Sequence, residues 1–370
     1  MIPMRNILVA FLTLASALFA DEGEVTIYVS LDREHSEELI RRFEQETGIK
    51  VSATYDTEQT KTVGLVRRLI EEKGDPQADV YWNNELATTI KLKENSVLQK
   101  YTSKSAEDIP AAFKDSEGYW VGFAARARVL IVNTDLVGSD EMPTSMWDLT
   151  KPKWKGRVCM ARPQTGTTAA HAAVLYVRDR ARADEYFDKL ISNEVVWLTG
   201  NAHCMRDVSE GRFAFGWTDT DDFNVARIQG RPVRMVYPDA GPDQAGVLYI
   251  PNSLVMIKNC RHRKNAQKLI DWILRREIEQ ALALSATAQI PVRPDIAVPG
   301  HVKRPDQIGR VMAVDWDTVG KEYDKWVEHV RRKLGDAETS SPTLLWILAV
   351  VVVVAVGVGI LLKRATSDPS

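Results

Sequence analysis

Short apolar strands alternate with amphipathic helices through the first third of the chain, and this rhythm restricts the fold more than any other feature. Apolar residues at helical spacing, such as Leu39, Ile40 and Phe43 after Asp32, predict a helix, and residues 65–72 predict a second. The runs that predict strands are residues 25–29, 48–51 and 78–82. A β-α-β-α-β order favours an α/β fold with a mostly parallel sheet covered by helices on both faces.

Polar side chains follow several of these strands, at the point where a helix begins. They occur at residues 30–32, 83–85 and 218–222. Because ligands of parallel sheets bind beyond the carboxyl ends of the strands, these segments are candidates for one binding site. Two longer apolar runs, residues 128–133 and 247–257, are long enough to connect two lobes, and a second α/β unit lies between them.

Both ends of the chain are apolar, but their residue patterns predict two different kinds of segment. Residues 1–20 carry one positive charge, a short apolar stretch and small residues before the end, which predicts a secretory signal peptide. Residues 344–362 form an apolar run followed by Lys363 and Arg364, which predicts a transmembrane helix with a short cytoplasmic tail at 363–370. Residues 335–343 are interpreted as a linker. We therefore expect an exported domain tethered at the outer face of the cytoplasmic membrane.

Charge and cysteine content narrow the class of protein further. The net charge is −2, with no long basic block, which argues against nucleic acid as a partner. Three cysteines, Cys159, Cys204 and Cys260, allow at most one disulfide bond within an exported chain, and the sequence does not say which pair forms it. The part between the two apolar ends is large enough for two hydrophobic cores.

Several segments of the chain resemble one family in the same order along the sequence. They are residues 25–29, 43–51, 77–82, 126–134, 152–157, 163–167, 200–201 and 289–294. Together they are similar to bacterial extracellular solute-binding proteins of the ferric-ion-binding type. The resemblance covers roughly residues 24–329.

The resemblance implies a fold, an activity and partners. The implied fold is the two-lobed type II periplasmic-binding-protein fold, or Venus flytrap, with crossed hinge strands. Lobe 1 is expected over residues 21–127, completed by about 247–290, and lobe 2 over 128–246, completed by about 291–334. The implied activity is delivery of a small solute to the permease and ATPase of an ABC importer by a monomeric binding protein that is not an enzyme.

The resemblance also assigns candidate residues to the ligand site. Asp32 stands where iron-binding members have a histidine, Asn84 with neighbouring Glu85 where they have a glutamate, and Thr220 with Asp221 where they have two tyrosines. Their anion-binding side is matched by Thr165, Gly166, Thr167, Asn201 and Thr218. The implied ligand is Fe³⁺ or another hard cation with phosphate or carbonate, and no obligatory cofactor is expected.

The chemistry of these side chains does not by itself identify the ligand. Asp32, Glu85 and Asp221 are the candidate metal ligands, with Asp219 and Asp222 close by in the sequence, since hard cations prefer oxygen ligands. The same carboxylates could bind hydroxyls or an amine, and some aspartates of 219–222 could only cap the following helix.

Two features favour an anion as part of the ligand. The threonine-rich loop at 165–168 precedes a helix, whose N-terminus suits a phosphate. Arg126 and Arg128 alternate on one face of a strand, from which either could contact an anion or form a salt bridge. The alternative ligand is therefore a sugar phosphate, an aminophosphonate or a similar anionic solute. A glycosidase-like enzyme is a remote alternative that rests on the paired carboxylates.

Overall fold

The computed structural model describes residues 23–31, 33–56 and 62–338. The predicted signal peptide, the predicted transmembrane helix at 344–362, the tail at 363–370 and Asp32 lie outside the described residues, so these remain predictions. Within the described ranges, none of the helices is long and apolar enough to cross a membrane.

Ten strands in the described residues form one mixed, crossed sheet. In chain order they are β1 (Glu24–Val29), β2 (Lys50–Tyr55), β3 (Val80–Asn83), β4 (Leu98–Gln99), β5 (Val121–Asn133), β6 (Val158–Ala161), β7 (Val196–Leu198), β8 (Phe215–Asp219), β9 (Val233–Val236) and β10 (Tyr249–Ile257). The strand order is β2-β1-β3-β10-β5-β8-β6-β7, while β4 pairs with β10 and β9 pairs with β5. The β1–β2, β1–β3, β6–β7 and β6–β8 pairs are parallel, as the sequence rhythm predicts.

Helices cover both halves of this sheet. They are α1 (Arg33–Thr47), α2 (Val63–Glu71), α3 (Ala87–Glu94), α4 (Gly166–Arg178), α5 (Arg180–Ser192), α6 (Asn201–Ser209), α7 (Thr220–Ile228), α8 (Arg263–Ile273), α9 (Arg276–Leu284) and α10 (Trp316–Glu338). Residues 335–338, which the sequence assigned to the linker, belong to α10. This is a correction to the start of that linker.

Strand β5 passes from one lobe to the other. Its first half, from Val121 to Ala127, pairs antiparallel with β10, and its second half, from Arg128 onward, pairs antiparallel with β8 and β9. All of its residues are buried. The two lobes predicted from the sequence therefore meet where β5 changes partners, and the fold is the two-lobed α/β fold.

Helix α10 packs against both lobes, although the sequence assigned residues up to 334 to lobe 2. Its Trp326 ring stacks on Tyr176 of α4 in lobe 2, with ring centroids 4.9 Å apart. On the lobe 1 side, Asp324 forms a 2.7 Å salt bridge with Lys91 of α3. Gly320 provides the close approach, since a Cβ atom there would lie 2.5 Å from Ile90 Cβ.

Two alanine substitutions in α10 test this close contact. Gly320→Ala is expected to lower the free energy of unfolding by about 1–3 kcal/mol, because its Cβ would also lie 2.8 Å from the backbone carbonyl of Ala87. Gly335→Ala is the matched control, since a Cβ there meets nothing within 4 Å. It is expected to be neutral or to stabilise by up to about 1 kcal/mol. Urea unfolding measures both, and equal effects of the two substitutions would contradict the contact.

Candidate functional site

A polar pocket lies between the lobes at the carboxyl ends of the strands. Lobe 1 contributes Asn84 after β3, and the crossing strand β5 contributes Arg126. The rest of the lining comes from lobe 2: Ala161, Thr165, Gly166, Thr167, Thr168, Thr199, Gly200, Asn201, Ala202, Asp219, Asp221 and Asp222. The pocket therefore opens where the polar strand ends were expected to meet.

Three helices begin at this pocket. Helix α4 starts at Gly166, α6 at Asn201 and α7 at Thr220, each directly beside lining residues. The backbone of Gly166 has a φ of +58°, which favours glycine, and a Cβ atom there would meet nothing within 4 Å. Because the first N–H groups of a helix carry partial positive charge, the starts of α4 and α6 favour an anion, whereas the first turn of α7 already carries Asp221 and Asp222.

A buried ion pair between Arg128 and Asp219 lies beneath the lobe 2 side of the pocket. Arg128 Nη1 donates to Asp219 Oδ1 at 2.7 Å, and both side chains are almost fully buried. Arg128 also donates to the hydroxyls of Thr167 (3.3 Å) and Thr168 (3.1 Å). Thr167 in turn donates to Asp219 Oδ2 at 2.6 Å, and Asn201 Nδ2 donates to the same oxygen at 3.1 Å. The network joins β5, β8, α4 and α6.

Electrostatics keep Asp219 ionised. Burial alone would raise the pKa of its carboxyl group, but the charges of Arg128 and Arg126 and the hydrogen bonds from Thr167 and Arg128 outweigh it, so the pKa lies below its ordinary value. Both oxygens of Asp219 are already engaged within the protein. Asp219 therefore organises the site more than it offers a ligand atom.

Arg126 connects the two sides of the cleft. Its Nη2 donates to the backbone carbonyl of Asn84 in lobe 1, and its Nη1 lies 3.4 Å from Asp221 Oδ2 in lobe 2. Arg126 is 4% exposed and lines the pocket. A ligand between the lobes can therefore contact a guanidinium group that both lobes position.

An acidic cluster lies at the start of α7 itself, in its N-cap residue and first turn. Carboxylate oxygens of Asp219, Asp221 and Asp222 lie within 4.8 Å of one another. Thr218 donates a 2.8 Å hydrogen bond to Asp222. The two arginines Arg126 and Arg128 balance two of these three charges, and the helix starts contribute roughly half a positive charge each. One of the three negative side-chain charges therefore remains without an arginine partner, beside the positive backbone ends of α4 and α6.

Eight of the twelve predicted site residues line the pocket: Asn84, Arg126, Thr165, Gly166, Thr167, Asn201, Asp219 and Asp221. The lining residues that the sequence did not single out are Ala161, Thr199 and Ala202, whereas Thr168 and Gly200 belong to the segments 165–168 and 200–201 that it did. Thr168 extends the threonine run at the start of α4, and Thr199 and Gly200 directly precede Asn201. Their positions beside the two helix starts could therefore have been used to predict them.

The structure corrects the prediction for Glu85. Its two carboxylate oxygens accept hydrogen bonds from the backbone N–H groups of Ala87 (2.6 Å) and Thr88 (2.9 Å), at the start of α3. Glu85 is fully buried, and burial raises the pKa of its carboxyl group. Glu85 is thus a helix cap rather than a metal ligand, because its short distance from the helix start lets it reach the first N–H groups.

Thr218 and Thr220 also lie away from the pocket lining. The Thr218 hydroxyl donates to Asp222 and to the Asn201 carbonyl, while the Thr220 hydroxyl accepts from Ala127 N at 3.2 Å. Thr220 lines a separate small cavity with Phe223. These two hydroxyls form hydrogen bonds within the protein and do not line the pocket. Asp32, the remaining prediction, is outside the described residues.

The ring of His171 packs behind the ion-pair network. It lies on α4, tilted against Trp217 with ring centroids 5.1 Å apart, and neither ring nitrogen has a hydrogen-bond partner. Burial, and then the charge of Arg128, lower the pKa of His171 from 6.5 to about 3. A neutral ring therefore occupies this site at physiological pH.

The fold and the interlobe cleft define a two-lobed α/β binding protein. Residues 38–308 match the family described as bacterial extracellular solute-binding protein. The chain belongs to this family, and the resemblance predicted from the sequence is confirmed.

Individual relatives are distant but cover most of the chain. The probable ABC transporter periplasmic-binding protein y4fP of Sinorhizobium fredii is 23% identical over 286 residues, which are 73% of this chain and 76% of the relative. Iron-bound HitA from Pseudomonas aeruginosa is 21% identical and superimposes with a TM-score of 0.74, covering 83% of this chain and 99% of HitA. AfuA from Actinobacillus pleuropneumoniae, with exogenous fructose-6-phosphate bound, is 23% identical with a TM-score of 0.74, covering 84% of this chain and 99% of AfuA.

The neutral state of His171 predicts a pH dependence of stability. The unfolded chain takes up a proton at His171 near pH 6.5, whereas the folded protein does so only near pH 3. Between these values the unfolded state binds more protons, so stability falls as the pH falls, by about 1 kcal/mol per pH unit from this residue. His171→Phe keeps an aromatic ring against Trp217 and removes that part of the slope. Urea unfolding across this pH range measures it, and parallel profiles of the two proteins would contradict the assignment.

Proposed function

We propose that the protein is the solute-binding component of an ABC importer and that its ligand is an anionic organic solute carrying a phosphoryl or phosphonate group. The observation that carries the ligand proposal is that the starts of α4 and α6 and the Arg126 guanidinium lie at one polar pocket. The family of extracellular solute-binding proteins supports the transport role. The partners proposed are a permease and its ATPase, and the proposed location is the outer face of the cytoplasmic membrane.

The phosphoryl group is proposed to bind at the starts of α4 and α6. Thr165, Gly166, Thr199 and Asn201 line this side of the pocket, and the proposed donors are the backbone N–H groups near Gly166 and Asn201 and the Thr165 hydroxyl. Thr167 is less available, because its hydroxyl already donates to Asp219. The remainder of the solute extends toward Asn84, Asp221 and Asp222, which offer acceptors for hydroxyl groups or an amine.

A second candidate ligand is Fe³⁺ or another hard cation bound with phosphate or carbonate. It is favoured by the three clustered aspartates and by the iron-binding relatives. Two features weaken it. Asp219 is held by Arg128 and Asp221 faces Arg126, and among the described lining residues there is no tyrosine, histidine or glutamate to complete a metal site.

The glycosidase-like alternative gains no support from the site. A general acid needs a carboxyl group with a raised pKa, whereas the pKa of Asp219 is lowered by its arginine partners. The other pocket carboxylate with a charged partner, Asp221, also faces an arginine. Both aspartates are paired with arginines, an arrangement that suits ligand binding rather than acid catalysis.

A ligand screen in the presence and absence of a chelator tests the proposal. Phosphorylated sugars and aminophosphonates are added to chelator-treated protein, and Fe³⁺ with phosphate or carbonate is added to protein without chelator. A ligand at 100 times its Kd stabilises the protein by about 2.7 kcal/mol, which a thermal shift detects. Stabilisation by a phosphorylated solute with chelator present is the expected result. Stabilisation by Fe³⁺ with its anion alone would overturn the phosphoryl proposal.

Two substitutions in the pocket separate the same alternatives. Arg126→Met removes the guanidinium from the pocket, so the affinity for a phosphorylated solute should fall by about 1.5–3 kcal/mol, the range for hydrogen bonds to charged groups. If the ligand is a cation, the same change should not weaken binding, while Asp222→Asn should. Isothermal titration of both variants against the stabilising ligand distinguishes the two patterns.

A further inference from the structure

Two cysteines lie in contact beneath the ligand cleft. Cys159 is on β6 and Cys204 is on α6, both are fully buried, and their Sγ atoms are 3.1 Å apart. Gly216 of β8 leaves the space for them, because a Cβ atom there would lie 2.4 Å from Cys204 Sγ and 2.8 Å from Cys159 Sγ. The third cysteine, Cys260, follows β10 in the other lobe and packs against the lobe 1 core.

Whether this cysteine pair is oxidised depends on the compartment in which the protein folds. The chain belongs to a family of extracellular proteins, and disulfide bonds form and persist outside the cytoplasm. The two residues are 45 positions apart, so a bond between them closes a long loop, which is the arrangement in which a disulfide restricts the unfolded chain most. Two sulfur atoms facing each other at the back of the site therefore have both the geometry and the environment for a bond.

We propose that Cys159 and Cys204 form a disulfide bond in the exported protein. The bond forms by thiol–disulfide exchange with a protein or small-molecule disulfide donor. One thiolate attacks the donor's disulfide and forms a mixed disulfide, and the second cysteine displaces the donor. The two cysteines lose two electrons and two protons, and the donor is reduced to two thiols.

The timing of this reaction follows from burial. In the folded protein, desolvation and the neighbouring Cys204 sulfur raise the pKa of Cys159 well above its usual value, so little thiolate is present there. Gly216 and its strand also cover both sulfurs. The bond therefore forms while β6 and α6 are assembling, before the donor loses access.

The bond would act on the site through the two elements it joins. Strand β6 ends at Ala161 and α6 begins at Asn201, and both residues line the pocket. Asn201 also donates to Thr167 and Asp219 in the buried network. Cross-linking β6 to the first turn of α6 thus fixes the helix start that faces the ligand.

Peptide mapping of the exported wild-type chain tests the proposal. The protein is denatured in an alkylating reagent without reductant, digested and analysed by mass spectrometry. We expect a linked peptide pair that contains Cys159 and Cys204, and the pair should disappear when the sample is reduced before alkylation. Recovery of Cys159 and Cys204 as two alkylated peptides, or of either one linked to Cys260, would overturn the proposal.

The Cys260→Ser variant gives an independent count. In this variant the denatured chain should take up no alkyl group before reduction and two after it. Two groups before reduction would contradict the bond. Reductant should also lower the thermal unfolding midpoint of this variant and leave that of a Cys159→Ala/Cys204→Ala chain unchanged, whereas an equal response of both proteins would contradict the bond.

Discussion

The ion pair between Arg128 and Asp219 is the interaction on which the rest of the site depends. Arg128 stands at the point where β5 leaves its pairing with β10 and joins β8, so it marks the passage between lobes. Asp219 ends β8 and directly precedes α7. Two buried charges are costly unless they are paired and hydrogen-bonded, and here Thr167, Thr168 and Asn201 supply the additional hydrogen bonds.

This pairing sets the charge of the pocket. Because Asp219 is engaged by Arg128, and Asp221 faces Arg126, the acidic cluster is largely balanced before a ligand arrives. The starts of α4 and α6 then add partial positive charge at the pocket. The anionic solute that we propose as the ligand fits this balance, whereas a bare trivalent cation would meet the Arg126 guanidinium group, which repels it.

Sequence reasoning succeeded where a side chain's position follows from the strand and helix pattern. The parallel strand ends bring Asn84, Asp219 and Asp221 to one cleft, and the rhythm of the chain predicted the two lobes. It failed where a hydrogen bond to the backbone, local for Glu85 and tertiary for Thr220, decides the role of a side chain. Glu85 stands next to Asn84 in the sequence but folds back to cap α3, and Thr220 hydrogen-bonds to the backbone of β5 instead of facing the ligand. Whether Asp219 meets an arginine or a metal depends on the register of β5 against β8, which the sequence does not specify.

A double-mutant cycle on Arg128 and Asp219 tests the central claim most directly. The free energy of unfolding is measured for wild type, Arg128→Met, Asp219→Asn and the double variant. Each single substitution leaves an uncompensated buried group and should cost about 3–5 kcal/mol. The double variant should cost much less than the sum of the two, with a coupling energy of about 2 kcal/mol or more. Costs that add to within about 0.5 kcal/mol would show that the two residues act independently, and the ion pair would then not be the organising interaction of the site.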